Sequence, residues 1–197
     1  MFCFYSFVLI FSKFASALDE PIISWYWPGT KRIVLLFASH VSSFPVSLYG
    51  PNNGDSAPDS PEIVGGGVDG SKCFKVTAFA EPTQTWHTQF YIKADEVMPK
   101  GTKWKLKMAI KASKESHVTT SAQAQPRQWK GGMINEFTVG TEWTNYEWSG
   151  EIGVDDFQSI AFDLNNGDER NADDNGWLPG NGGTEFFFDN IEFGIDL

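Results

Sequence analysis

The sequence predicts an all-β protein, a β-sandwich jelly roll built from two antiparallel sheets. Short runs of alternating apolar and polar residues recur along most of the chain, and Gly, Pro, Asn and Asp punctuate them. No stretch carries the period of an amphipathic helix, so many short strands in one domain leave the two-sheet sandwich as the natural architecture. The chain has 197 residues, of which 41% are hydrophobic. That fills one core and falls short of two ordinary domains with linkers.

From the N-terminus, "MFCFYSFVLIFSKFASA" has a short apolar centre and ends in small-x-small residues at Ala15-Ser16-Ala17. Residues 1–17 resemble a secretory signal, which implies a secreted or extracellular protein; no Lys or Arg precedes the apolar run, and an anchor and a mis-called gene start are the rival readings. Residues 18–40 show no clean period and stay unassigned. The run Ile33 to Ala38 is too short to span a bilayer. The jelly-roll domain is placed at residues 41–197.

Within that domain, "SSFPVSLYG" reads as a first strand and "PNNGDSAPDSPE" as a loop. "EIVGGGVDGSKCFKVTAFA" gives a short strand, a glycine turn and a longer strand. Gly65, Gly66 and Gly67 do not make a phosphate cradle, because no helix pattern and no Lys-Ser/Thr pair follow them. In "TWHTQFYIKA", Phe90, Ile92 and Ala94 share one parity, while His87, Gln89, Tyr91 and Lys93 share the other. "MPKGTKWKLKMAIKA" sets Trp104, Leu106, Met108 and Ile110 against Lys103, Lys105, Lys107 and Lys111, a half-buried strand with a solvated lysine face. "HVTTSAQAQP", "NEFTVG", "EWTNYEWSGEI", "FQSIAFDLNN" and "TEFFFDNIEFGI" complete the strand pattern, and "NNGDERNADDNG" reads as a polar loop.

Acidic residues outnumber basic ones 25 to 15, for a formal charge of -10. Such a field repels phosphate backbones and anionic lipid, so nucleic acid is not an expected partner, whereas a neutral polymer meets no barrier. Cys73 lies in an apolar strand and reads as a small buried hydrophobe rather than a nucleophile. With Cys3 in the signal, no internal disulfide is expected.

The polar parities of three separated strands look related. One supplies His87, Gln89 and Tyr91, a second Ser121, Gln123 and Gln125, and a third Ala161, Asp163 and Asn165. If those strands share a sheet, its outer face is a field of amides. An amide offers donors and an acceptor that match vicinal hydroxyls, and Trp or Tyr adds a flat surface for a pyranose. Trp86, Trp129 and Trp177 sit beside turns and are the stacking candidates. The competing reading has Trp86 and Trp129 capping the core and Trp177 pinning a long loop. Glycoside hydrolysis needs two carboxyls across the bond, and Asp163 is the one acid on this face. His40, His87 and His117 have no nucleophile elbow beside them. Asp189, inside the apolar run "FFFDNIEF", needs a partner, either backbone amides or a structural calcium ion. No other cofactor is expected.

The motifs "IVGGGVDGSKCFKVT", "TWHTQFYIKA", "KLKMAIKAS", "AQAQPRQW", "FTVGTEWTNYEWSGEI", "FQSIAFDLNNG" and "FFFDNIEF" resemble, in order, carbohydrate-binding modules of the family 4/9 type. They are most similar to modules attached to or inserted in family 10 xylanases of gut Bacteroidetes, over roughly Val41 to the C-terminus. The resemblance implies a monomeric, non-catalytic module that binds plant cell-wall polysaccharide, xylan or another β-glycan, and targets a tethered glycoside hydrolase. The alternative is a jelly-roll xylanase or glucanase, or a fragment of one. Expected ligand-binding residues are Trp86, His87, Gln89, Tyr91, Gln123, Gln125, Trp129, Asn165 and Trp177. Several departures fall at that site. Trp129 stands where the family has a tyrosine, His87 replaces an Asp, Gln123 a His, and Arg127 a Gly after Pro126. Asp168 to Gly183 is a longer insertion than the family pattern has.

Overall fold

The computed structural model describes residues 61–173 and 175–196, together with two short strands upstream. The expected signal at residues 1–17 lies outside the described residues. Among the described residues, fourteen strands follow in chain order: β1 (Arg32–Ile33), β2 (Val46–Leu48), β3 (Glu62–Gly65), β4 (Lys72–Thr77), β5 (Thr88–Met98), β6 (Lys103–Ala112), β7 (Ser116–Gln123), β8 (Trp129–Gly132), β9 (Phe137–Val139), β10 (Thr144–Glu151), β11 (Phe157–Asp163), β12 (Asn166–Arg170), β13 (Trp177–Pro179) and β14 (Glu185–Asp196). No helix occurs among the described residues. The fold is the predicted β-sandwich.

One sheet runs β10-β6-β14-β4-β3, with β1 also on β14, and the other runs β2-β5-β11-β7-β8, with β9 also on β7. Every pairing is antiparallel. Two elements exceed the sequence reading. Arg32 and Ile33, from the unassigned 18–40 segment, pair with Gly194 and Phe193. The stretch read as a polar loop holds β12, which forms a small hairpin with β13. Its charged composition hid the strand, because a two-stranded hairpin needs no apolar alternation when both faces meet solvent or loops.

Period-2 alternation places the core between the sheets. Trp104, Leu106, Met108 and Ile110 on β6, Phe186 and Phe188 on β14, Phe90 and Ile92 on β5, and Ile160 and Phe162 on β11 are all buried there. The seam is aromatic. Phe90 stacks on Phe188 across the sheets with ring centres 4.2 Å apart, and Phe162 lies 6.1 Å from Phe90. Cys73 is fully buried, and burial, with the nearby Asp189 carboxylate, raises its thiol pKa. It therefore packs as an inert small hydrophobe.

The glycine segment forms a turn, as read from the sequence. Gly70 donates its N–H to the Gly67 carbonyl and Gly67 donates to that of Ser71. Gly66 takes a φ of 91°, a backbone region open to glycine. This turn closes over Asp189 on β14.

Candidate functional site

The three polar parities do share one sheet. On β11, Asp163 pairs with Gln89 of β5 and Thr119 of β7, Ala161 with Tyr91 and Ser121, and Ser159 with Lys93 and Gln123. Gln123 also faces Trp129 of β8. Cross-strand neighbours on one face stand about 5 Å apart, so the residues form three rows. The first is Gln89, Asp163, Thr119. The second is Tyr91, Ala161, Ser121, and the third Lys93, Ser159, Gln123, Trp129.

This face is more enclosed than its residue types alone imply. Tyr91, Ala161 and Ser159 are fully buried and Gln89 is only 6% exposed, while Lys93, Asp163 and Thr119 are half-buried. Trp129 is 70% exposed at the rim. It does not cap the core.

Most of the amide capacity is spent internally. The Tyr91 hydroxyl donates to Gln89 Oε1 at 2.5 Å, and Gln89 Nε2 donates to Asp163 Oδ1 at 2.6 Å. Thr119 donates to Asp163 Oδ2 at 3.2 Å, and Asn166 Nδ2 donates to Thr119 Oγ1 at 3.4 Å. Gln123 Nε2 donates to Ser121 Oγ, and its Oε1 accepts the Arg127 N–H at 2.6 Å. Gln125 donates to Gln158 Oε1, whose Nε2 donates to the Ala94 carbonyl at 3.0 Å. Arg127, where the resembled family has glycine, adopts a φ of 74°. Glycine meets no steric penalty in that left-handed region, whereas a residue with a Cβ does.

Asp163 is the one carboxyl in the three rows. Loss of water around it raises its pKa from 3.8 to about 6, against the pull of the Gln89 and Thr119 hydrogen bonds. In the sequence this acid counts as one member of the polar face and, as the one acid there, as too few carboxyls for glycoside hydrolysis. The signal was available, since an acid at the end of an apolar strand on an amide face is a group that burial will perturb.

The remaining candidates take other places. His87 is buried, edge-on to Phe79 and Trp86, and its Nδ1 accepts the Thr83 N–H at 3.3 Å. Burial lowers its pKa, so the ring is neutral near pH 7. Trp86 is half-buried on the same loop. Asn165 lies just past β11, fully buried, and its Nδ2 donates to the carbonyls of Phe79 and Gly180 at 3.0 Å each. Its side chain thus fastens the Trp86 loop to the end of β13. Trp177 stacks on His117 at 3.8 Å, has the Arg170 guanidinium 4.1 Å from its ring centre, and donates to Glu136 Oε2 at 3.0 Å. That network pins the β12–β13 hairpin.

Asp189 is fully buried in the opposite sheet. Its Oδ2 accepts the Val68 N–H at 2.8 Å and the Ser71 hydroxyl at 3.3 Å, and its Oδ1 accepts the Asn190 N–H at 2.8 Å. Calcium takes six to eight oxygens, roughly. The groups that reach this carboxylate are donors, and no cluster of three His, Cys, Asp or Glu able to hold a metal occurs among the described residues. Backbone N–H groups and the Ser71 hydroxyl thus supply the partner that this buried carboxylate needs.

No protein-family model matches the chain, and no curated protein matches it significantly. Among solved structures it is similar to CBM1 of BiXyn10A at 16% identity and a TM-score of 0.47, covering 79% of this chain and 91% of that one. It is also similar to the CBM22-1 xylan-binding domain of Paenibacillus barcinonensis Xyn10C at 7% identity and a TM-score of 0.48, over 70% and 81% of the two chains. A third is the second N-terminal cellulose-binding domain of Cellulomonas fimi β-1,4-glucanase C, at 15% identity and a TM-score of 0.46, over 87% and 94%. At such identities, the function is read from this chain's own residues.

Proposed function

We propose that this chain is a non-catalytic carbohydrate-binding module of the family 4/9 type. It takes a plant cell-wall β-glycan, xylan or a related polymer, across the face made by β5, β11, β7 and β8. It works outside the cell as a monomer tethered to a glycoside hydrolase. The observation that carries this reading is Trp129, an exposed indole set beside Gln123 on a sheet face made mostly of amides, hydroxyls and small residues, with Lys93 and Asp163 among them. The indole offers a pyranose its flat surface, and the polar rows beside it offer hydrogen bonds.

The alternative, a jelly-roll hydrolase, needs two carboxyls on either side of a scissile bond. The three rows supply one, Asp163. With much of the amide capacity satisfied internally, a few net hydrogen bonds of about 0.5 to 1.5 kcal/mol each and one stacking contact suit micromolar to millimolar binding. Such affinity is useful when tethering raises the effective concentration.

Affinity electrophoresis tests the reading, with xylan, mixed-linkage β-glucan, glucomannan, xyloglucan and pectin in the gels. Retardation without cleavage is expected in xylan or a β-glucan, and Trp129→Ala weakens it without lowering the Tm, since the removed ring is mostly in solvent. Retardation in none of the polymers refutes the proposal. Depolymerisation supports the hydrolase instead.

A further inference from the structure

The side-chain acceptor oxygens on this face each take one hydrogen bond, and they differ in charge and in exposure. Gln89 Oε1 takes the Tyr91 hydroxyl, and Gln123 Oε1 takes the Arg127 N–H. Asp163 has about four lone-pair positions on its two oxygens. Gln89 occupies one on Oδ1 and Thr119 one on Oδ2. Each oxygen keeps an acceptor position, and the residue reaches solvent where its buried neighbours do not.

We propose that Asp163 is itself a ligand-binding residue whose ionised carboxylate accepts two adjacent hydroxyls of a neutral sugar. This rests on the carbohydrate-binding reading above and deepens it. A carboxylate held in a partly dehydrated sheet face is short of donors. Two sugar hydroxyls supply them, and hydrogen bonds to a charged group are among the stronger ones. Gln89 and Thr119 fix the direction in which the free positions point. Binding therefore selects the ionised form and expels a proton wherever Asp163 is partly protonated. Its pKa, raised to about 6 by desolvation, puts that exchange in an accessible range. The sign follows: affinity rises with pH through the titration of Asp163 and falls as it becomes protonated.

Other ionisable groups on the strands packed around Asp163 are Tyr91, Lys93, Asp95 and Glu96 on β5, with His87 just before it, His117 on β7, and Asp168, Glu169 and Arg170 on β12. His87 is buried, which lowers its pKa, and the Tyr91 hydroxyl is committed to Gln89. Lys93 stands two rows away, about 13 Å along the strand direction. Arg170 pairs with Glu136, and Asp168 and Glu169 are exposed. His117 stacks on Trp177 and is the group to control for.

The test is calorimetric titration of the whole chain with xylohexaose and with cellohexaose, from about pH 5 to about pH 8, in buffers of differing ionisation enthalpy. Whichever sugar binds should do so about tenfold more tightly at the upper end, with proton release greatest in the middle of the range. Asp163→Asn should flatten the profile and abolish the proton release, and His117→Asn should preserve both. A flat wild-type profile, or a rise that survives in Asp163→Asn, overturns the role of Asp163 and leaves the binding module standing. Binding of neither sugar at any pH overturns the role of Asp163; a chain that also runs unretarded in every gel overturns the module with it. Were Asp163→Asn to misfold, as judged by near-ultraviolet dichroism, the wild-type profile and proton count would still decide.

Discussion

The lysine face of β6 and the amide face of β5, β11 and β7 obey the same alternation, and the sandwich treats them differently. On the first, Lys103, Lys105 and Lys107 are exposed, and Glu147 from β10 pairs with Lys105 and, at 3.3 Å, with Lys107. These charges keep their water, so they cost the fold little and contribute little. On the second face, the polar groups are drawn inside and hydrogen-bonded to one another, and the one carboxylate is held away from its ordinary titration range. A polar outer face thus has two physical meanings. Long flexible charges mark a surface that only keeps the protein soluble, whereas short amides, hydroxyls and an enclosed acid mark one organised to exchange hydrogen bonds.

The largest expected effect strikes what both faces rest on. Phe90→Ala removes a fully buried ring stacked across the two sheets, and should cost about 3 to 5 kcal/mol in urea unfolding. A much smaller loss would show that the sheets hold their faces independently.

Next comes Asp163→Asn, which separates the faces by their dependence on pH. Because its folded pKa is raised, wild-type Asp163 contributes stability that is complete below about 3.8 and lost as pH rises through about 6. The variant never buries that charge. Allowing for partial exposure, it should exceed the wild type by about 1 to 2 kcal/mol near pH 7 and match it near pH 4, in urea midpoints compared at the two pH values. An equal difference at both would mean that the carboxylate is hydrated like those of the lysine face.

The smallest effect belongs to that lysine face. Glu147→Gln removes an exposed carboxylate whose pKa is lowered by its hydrogen bonds to Lys105 and then Lys107. It should leave the urea midpoint near pH 7 unchanged in low salt and in high. A salt-sensitive loss would show that the lysine row has a structural task.

Sheet membership was legible in the sequence because parity is local. Gln89, Tyr91, Ser121, Gln123 and Asp163 announce their common face two residues at a time. Enclosure was not legible, because what lies against a face is a matter of long-range contact. Asn165 shares the nominal parity of Asp163, yet the chain leaves the strand between them, and its amide goes to Phe79 and Gly180. Trp177 sits beside a turn, as a stacking residue would, but its partners come from β7, β12 and the residue before β9, which no window of sequence joins. Trp129 alone of the three indoles keeps most of its surface, and its neighbours Lys130, Gly131 and Gly132 were the hint.

The order in which the strands meet also bears on how the protein is made. β6 lies between β10 and β14, and both leave the ribosome after it. β14 alone joins β1, β4 and β6. Until it emerges, the first sheet is three unconnected pieces with open edges, while β5, β7 and β11 can already assemble. The face proposed to hold sugar can therefore form on a nascent chain before its opposite sheet is closed. The final step is the insertion of β14, a non-local event of the kind that folds in milliseconds to seconds and leaves sticky edges exposed meanwhile.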